Sequence, residues 1–189
     1  ILQTEIGTSH WFNANYIMRI RKALCIWEYN EQNIHVYEKH HRKITVVSPG
    51  VNPQPNGVKK DIPVLFYGWI KGSDRREQYI NKLSDQLPLE VITNKLENEM
   101  WTLLHRAQVV INLHYYNNSP LELFRINEAL SFHCHVISEG YSARHSMVKF
   151  ADSVASIVNH ANDLLNQEFE SDLSGLDNLE EVKKGLALL

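Results

Sequence analysis

The chain has 189 residues, 43% of them apolar and 22% charged, with a formal net charge of −3. That is the length of one domain, or of one domain plus a piece of another, and the composition of a globular protein with a real core. The acidic balance supplies no global positive field to draw nucleic acid or an anionic membrane, and no apolar run approaches the roughly 18 residues of a membrane span.

The first twenty residues mix Glu5, His10, Asn13 and Arg19 among the apolar ones, so no signal peptide is read there and a cytoplasmic location is expected. The chain opens on Ile-Leu-Gln rather than Met, and a fragment, or the ordered part of something longer, is expected. Short β-branched runs recur at 23–29 (ALCIWEY), 44–48 (ITVVS), 62–69 (IPVLFYGW), 89–93 (LEVIT), 109–116 (VVINLHYY), 134–138 (CHVIS) and 153–158 (SVASIV). They are near-continuously apolar rather than alternating, which suits a parallel sheet covered on both faces. A helix is read over about 31–41, and another over 74–87, where Tyr79, Ile80, Leu83 and Leu87 form one stripe. The stretch 94–107 repeats the pattern with Met100, Leu103, Leu104 and Ala107, with Asn94 and Glu97 spaced as cap and third helical residue. Strand and helix alternate at βα spacing. The fold class is therefore α/β, a doubly wound, Rossmann-like parallel sheet with helices on both faces.

The stretch SPGVNPQPNGVKKD (48–61) holds three of the six prolines and two of the eight glycines and reads as a linker or long turn. The boundary is drawn after residue 53, leaving 54–189 as the main domain with a C-terminal amphipathic helix in LDNLEEVKKGLALL. The strand, helix and strand before the linker are too short to close a core alone and must lean on something else. Cys25 and Cys134 lie far apart in apolar segments, where reduced core thiols fit better than a disulfide.

In an open α/β sheet, ligands bind beyond the carboxyl ends of the strands, where the following helices aim their N-termini. Three such exits are polar. In FYGWIKGSDRRE, Gly68 ends a strand, Gly72 loosens the loop, Asp74 and Glu77 are placed to cap, and Arg75 and Arg76 fall in the first helical turn. Cations there oppose the helix dipole by a few tenths to about 1 kcal/mol each. Either they meet an anion, or they face solvent or pair with Asp74 and Glu77.

In NNSPLELFRINEAL (117–130), Ser119 reads as the N-cap, Pro120 as the first helical residue and Glu122 as the far half of a capping box. Arg125 and Glu128 are spaced at i, i+3 to pair. The amides around Asn118, Ser119 and Leu121 would share an edge with Asn112 and His114. In VISEGYS, Ser138, Glu139 and Gly140 leave the next strand. Together the three exits describe a cleft for a phosphorylated, hydroxyl-rich ligand such as a nucleotide sugar.

These stretches resemble a known family. ITVVSPGVNP looks like the interdomain segment of GT-B glycosyltransferases, and VLFYGWIKGSDRRE like the first strand and phosphate loop of their second domain. VVINLHYYNNSPLELFRINEALSFHCHVISE is similar to the strand–loop–helix–strand core of group 1 members, the whole likeness covering roughly 23–165. The resemblance implies that residues 1–53 are the end of an N-terminal GT-B domain plus linker, and that 54–189 bind the nucleotide sugar. It also implies that Glu128, within Glu128-Ala129-Leu130, holds the ribose, and that Arg75, with Arg76 or Lys71, meets the diphosphate. The amides from Ser119 through Leu121 to Glu122 would face phosphate or sugar, with Gly68, His114, Arg125 and Glu139 completing the donor-binding set.

One departure stands out: eight positions before Glu128, where retaining members often carry a second Glu, this chain has Pro120. Retention or inversion is left open, and no catalytic residue is assigned. The expected activity is transfer of a sugar from a nucleotide-sugar donor to a hydroxyl of a glycan, lipid or protein acceptor. The donor is a substrate and no separate cofactor or metal is expected. Further expected partners are a missing N-terminal domain or a second copy of the chain, with no nucleic acid and no transmembrane segment. The alternative is a non-catalytic nucleotide-binding or protein-interaction α/β domain, with Arg125 and Glu128 only a buried ion pair.

Plainer readings stand beside these. His114 is equally a satisfied strand-end histidine. FHCHV (132–136) lacks the partner ligands a zinc site needs. EKHHRK (38–43) reads as a solvated helix end, and Trp27, Trp69 and Trp101 as core, with ligand contact a lesser reading for Trp69.

Overall fold

The computed structural model describes residues 12–95, 98–116, 119–142, 145–169 and 172–189, together with the backbone of 2–3. The chain gathers into two compact units, Ile1–Gly50 with Asp177–Leu189, and Val51–Leu176.

The first unit holds β1 (Leu2–Gln3), α1 (Ala14–Lys22), β2 (Ile26–Glu28), a 3-10 turn (Glu31–Asn33) leading into α2 (Ile34–Tyr37), and β3 (Ile44–Val46). The expected 31–41 helix is thus a short turn plus one helical turn. The three strands are parallel in the order β1-β2-β3. Ile20, Ile26 and Tyr37 are fully buried between sheet and helices.

The last helix of the chain, Leu179–Leu186, joins this unit rather than the one that precedes it in sequence. Gly185 explains how: a Cβ there would lie 2.6 Å from Trp27 Cε2, so only glycine lets the helix rest on the indole. The Ser48 amide donates to Glu181 Oε2 at 2.6 Å, and Asn178 Nδ2 donates to the Ser48 carbonyl at 2.9 Å. The opening segment leans on the far end of its own chain.

The second unit runs β4 (Ile62–Tyr67), α3 (Asp74–Ser84), β5 (Leu89–Ile92), α4 (Asn98–Arg106), β6 (Ala107–Asn112), α5 (Leu123–Ser131), β7 (His135–Ser138), β8 (Lys149–Phe150) and α6 (Val154–Leu164). All pairings are parallel, in the order β5-β4-β6-β7-β8. Val64, Phe66, Val109, Ile111 and Ile137 face α3 and α6, burying Ile80, Leu83, Ile157, Ala161 and Leu164 between them. The alternate positions turn toward α4 and α5, where Met100, Leu104, Ile126 and Leu130 are buried. This is the doubly wound α/β sheet read from the apolar runs. The chain leaves β4 toward β5, then crosses back to β6 on the other side, which opens a crevice at the exits of β4 and β6.

Two local expectations are corrected. The run 153–158 is helical, because Ser153 caps it, accepting from the Ser156 amide at 3.2 Å, and Ile157, Ala161 and Leu164 recur at helical spacing on its buried face. Trp69 and Trp101 are not core residues: they are 57% and 44% exposed. Glu97, read as part of a cap, lies outside the described residues. No helix among the described residues is long and apolar enough to cross a membrane.

Helix α5 ends where His133 takes a left-handed conformation (φ 55°). The Cys134 amide reaches back to the Ala129 carbonyl at 3.1 Å and the His133 amide to the Leu130 carbonyl at 2.9 Å, closing the last turn before β7.

Glu28 on β2 is fully buried, with Oε1 accepting from the Asn30 amide at 3.1 Å and Oε2 without a partner. Burial outweighs these bonds and pushes its pKa up to about 7. An acid with a raised folded-state pKa binds its proton more tightly in the native state, so its contribution is complete below the unfolded pKa. It is lost as pH rises from about 4.5 through about 7. Urea denaturation across this window is expected to show stability rising as pH falls, by up to about 3 kcal/mol. Glu28→Gln is expected to flatten that slope.

Candidate functional site

The strands of the second unit are apolar until their last residues. Tyr67, Asn112 and Ser138 then fall on one face, since Asn112 pairs in register with Ser138 and β4 lies alongside. Asn112 Nδ2 donates to Ser138 Oγ at 3.0 Å, and Arg125 Nη1 donates to Asn112 Oδ1 at 2.8 Å. Just past β4, Gly68 sits at φ 141°, and a Cβ there would meet Arg125 Nη2 at 3.1 Å. The glycine is thus required twice, for its backbone and for the guanidinium beside it.

Helix α3 opens on Ser73, whose Oγ accepts from the Arg76 amide at 3.4 Å and donates to the Tyr115 carbonyl at 3.0 Å. The cap is Ser73, not Asp74 or Glu77. Arg75 and Arg76 do fall in the first turn, and both meet anions, but the anions belong to the protein. Arg75 forms a two-pronged pair with Glu139: Nη1 donates to Oε2 at 3.2 Å and Nη2 to Oε1. Its guanidinium also lies 4.5 Å from the Tyr79 ring centroid. Glu139 raises the Arg75 pKa, and its own Oε2 accepts the His114 amide at 2.8 Å. His114 Nε2–H donates to the Glu139 carbonyl at 3.0 Å, leaving Nδ1 buried without a partner.

Arg76 is only 1% exposed. It donates from Nη1 to the Trp69 carbonyl at 2.7 Å, and from Nη2 to the Leu113 carbonyl and to Glu122 Oε1, the last at 3.3 Å. Burial pushes its pKa down to about 10, the Glu122 charge opposing that shift. Arg76 therefore holds the fold and does not line the cleft.

The second exit departs from its expected geometry. Helix α5 begins at Leu123, and the capping box does not form: Ser119 Oγ donates to the Tyr116 carbonyl at 2.9 Å instead. Glu122 takes φ −78° and ψ 68°, the geometry of an inverse γ-turn, closed by the Leu123 amide on the Leu121 carbonyl at 2.9 Å. Its carboxylate bridges Arg76 and Arg125, and two cations outcompete one helix amide for it.

The expected pair of Arg125 with Glu128 is absent for the same reason. Glu128 instead accepts from Tyr67 Oη at 2.9 Å and from Trp101 Nε1 at 3.0 Å. Burial and the Glu128 charge hold the Tyr67 phenol protonated, as a donor.

These exits surround a cleft of about 750 Å³, within the range of ligand sites. Of the residues expected to bind donor, Arg75, His114, Ser119 and Glu139 line it. Gly68, Arg76, Leu121, Glu122, Arg125 and Glu128 do not line it. Lys71 is exposed on the β4 loop, where its carbonyl accepts from Tyr115 Oη at 2.8 Å. Asn118 lies outside the described residues. Phe150, Ala151, Asp152 and Ser156 also line the cleft and were missed, because reading 153–158 as a strand hid the β8–α6 turn. The capped Ser153 start was the signal that would have shown it. His133 and His135 donate to the carbonyls of Gln54 and Gln167, at 2.8 and 3.2 Å. Among the described residues no cluster of His, Cys, Asp and Glu is placed to hold a metal.

The parallel α/β fold is one shared with solved GT-B glycosyltransferases. The chain is similar to the crystal structure of TarM, with a TM-score of 0.60 and 10% identity over 98% of this chain and 47% of that one. The GtfA/B complex aligns at a TM-score of 0.47 and 10% identity, over 95% and 45% of the two chains. CalG4, the calicheamicin glycosyltransferase, aligns at 0.40 and 10%, over 98% and 57%. The chain thus spans about half the length of these structures. No family model and no curated protein sequence matches it.

Removing Arg76 should expose its structural weight. Arg76→Met leaves Glu122 and two carbonyls short of a donor and is expected to cost about 3–5 kcal/mol, read as a large drop in melting temperature. Arg76→Lys keeps the charge but not the fork and should recover only part of it.

Proposed function

We propose that the second unit binds the nucleotide-sugar donor of a glycosyl transfer reaction, and that a sugar passes from that donor to an acceptor hydroxyl on a glycan, lipid or protein. The observation that carries this reading is the cleft at the carboxyl ends of the parallel strands, with Arg75 of α3, His114 and Ser119 of the β6–α5 connection and Glu139 past β7 converging on it. On this reading Arg75 turns from Glu139 to the diphosphate and stabilises the charge that builds as the sugar departs. Glu128, its carboxylate oriented by Tyr67 and Trp101, meets the ribose hydroxyls as an acceptor. No residue of this chain is assigned as general base. A specific observation supports the non-catalytic alternative: Arg75, Arg76 and Arg125 are each already paired with an internal carboxylate.

Calorimetric titration with a panel of nucleoside diphosphates separates donor binding from a protein-interaction domain that takes no nucleotide, and release of free sugar or its transfer from a nucleotide sugar separates it from a non-catalytic nucleotide binder. On the donor reading, Arg75→Ala weakens diphosphate binding by about 1.5–3 kcal/mol and leaves the bare nucleoside unchanged. Absence of any nucleoside diphosphate binding by the parent chain would favour the alternative. Glu128→Gln is expected to bind at least tenfold more weakly with its melting curve nearly intact. Glu122→Gln should instead lower the melting temperature, because it unpairs Arg76 and Arg125. Normal binding by Glu128→Gln would remove the ribose role.

A further inference from the structure

A second surface, in the first unit, has no part in the cleft. Helix α1 (ANYIMRIRK) carries no acid, and the basic residues of its last turn include Arg21 and Lys22. Lys39, Arg42 and Lys43 follow α2, and together with Arg21 and Leu24 they line one depression of about 470 Å³. Glu38 is the acid in that lining. Arg19, Arg21, Lys22, Lys39, Arg42 and Lys43 are all exposed, and no ion pair among the described residues engages them. Lys43 Nζ donates only to a neutral carbonyl, that of Leu188, at 3.1 Å.

Complementing a helix dipole accounts for Arg19, Arg21 and Lys22 but not for Lys39, Arg42 and Lys43. Helix α2 is four residues long and has little dipole, and Arg42 and Lys43 lie beyond its end. Nor does it account for the apolar residues among the cations. Leu24 is 73% exposed and Met18 is 53% exposed. Met18, Arg21 and Lys22 share one helical face at i, i+3 and i+4. A solvated basic face has no use for a protruding Leu and Met. A bilayer surface does: apolar side chains enter the headgroup boundary while flanking Lys and Arg meet lipid phosphates. A nucleic acid would favour aromatic or hydrogen-bonding groups at those positions.

We infer that this face docks the first unit onto an anionic lipid bilayer, with Leu24 and Met18 inserted and Arg21, Lys22, Lys39, Arg42 and Lys43 over the headgroups. A chain of net charge −3 can do this because screening limits the attraction to the charges within about a Debye length of the bilayer, and those are the cations of this face.

Co-sedimentation of the 189-residue chain with vesicles tests it, comparing phosphatidylcholine alone with a 60:40 mixture of phosphatidylcholine and phosphatidylglycerol. Each cation near such a surface is worth about fivefold in partitioning. At least tenfold stronger binding to the anionic vesicles is expected, falling as salt is raised. Arg21→Gln/Arg42→Gln should lose about 25-fold, and Leu24→Asp several-fold, with the melting curves of both variants showing that they remain folded. Equal binding to both vesicle types, or variants that bind like the parent, would overturn the inference. So would a single-stranded RNA oligonucleotide that binds with the same charge dependence while anionic vesicles do not.

Discussion

One buried cation organises the second unit. Arg76 reaches from the first turn of α3 to the carbonyl past β4, the carbonyl past β6 and the carboxylate in front of α5. These are the elements that must be held apart for a crevice to exist at the point where the strand order reverses. A guanidinium can do this because its fork presents several donors in one plane. The Phe66 and Tyr115 rings, 5.6 and 5.3 Å from its centre, flank the charge where water cannot. Loop positions, the start of α5 and the site of Arg125 all follow from where that fork points.

The cleft is balanced internally. Its accessible arginine faces a carboxylate that is itself fixed by the His114 amide, so the cation already has a partner. An anion competing for those same two donors would gain only the difference between two similar interactions.

The parallel sheet was legible because its strands are buried on both faces and therefore apolar throughout, and Gly68, Ser138 and Glu139 marked their ends. The helix at 154–164 was not, because Val154, Ile157 and Val158 also fit a short strand, and only the Ser153 cap distinguishes the two. The partners of the arginines lay beyond sequence reading. Glu122 and Glu139 are distant in the chain from Arg75 and Arg76, and local spacing favoured a capping role for the first. The i, i+3 spacing of Arg125 and Glu128 was correct as geometry, but Tyr67 and Trp101 offered that carboxylate neutral donors from other elements. The amphipathic pattern of the tail marks a helix, yet which unit it joins depends on a glycine meeting an indole far away in sequence.

The two cysteines fall one to each compact unit, both buried: Cys25 is 2% exposed and Cys134 is 0% exposed. Cys134 donates its thiol to the carbonyls of Leu104 and Ala107, and burial pushes its pKa up to about 11. In that state it is not nucleophilic, and an alkylating reagent waits for the unit to open. The molecule therefore carries a natural pair of clocks. The order in which the thiols become modified reports which unit opens first, with no label added and no residue changed.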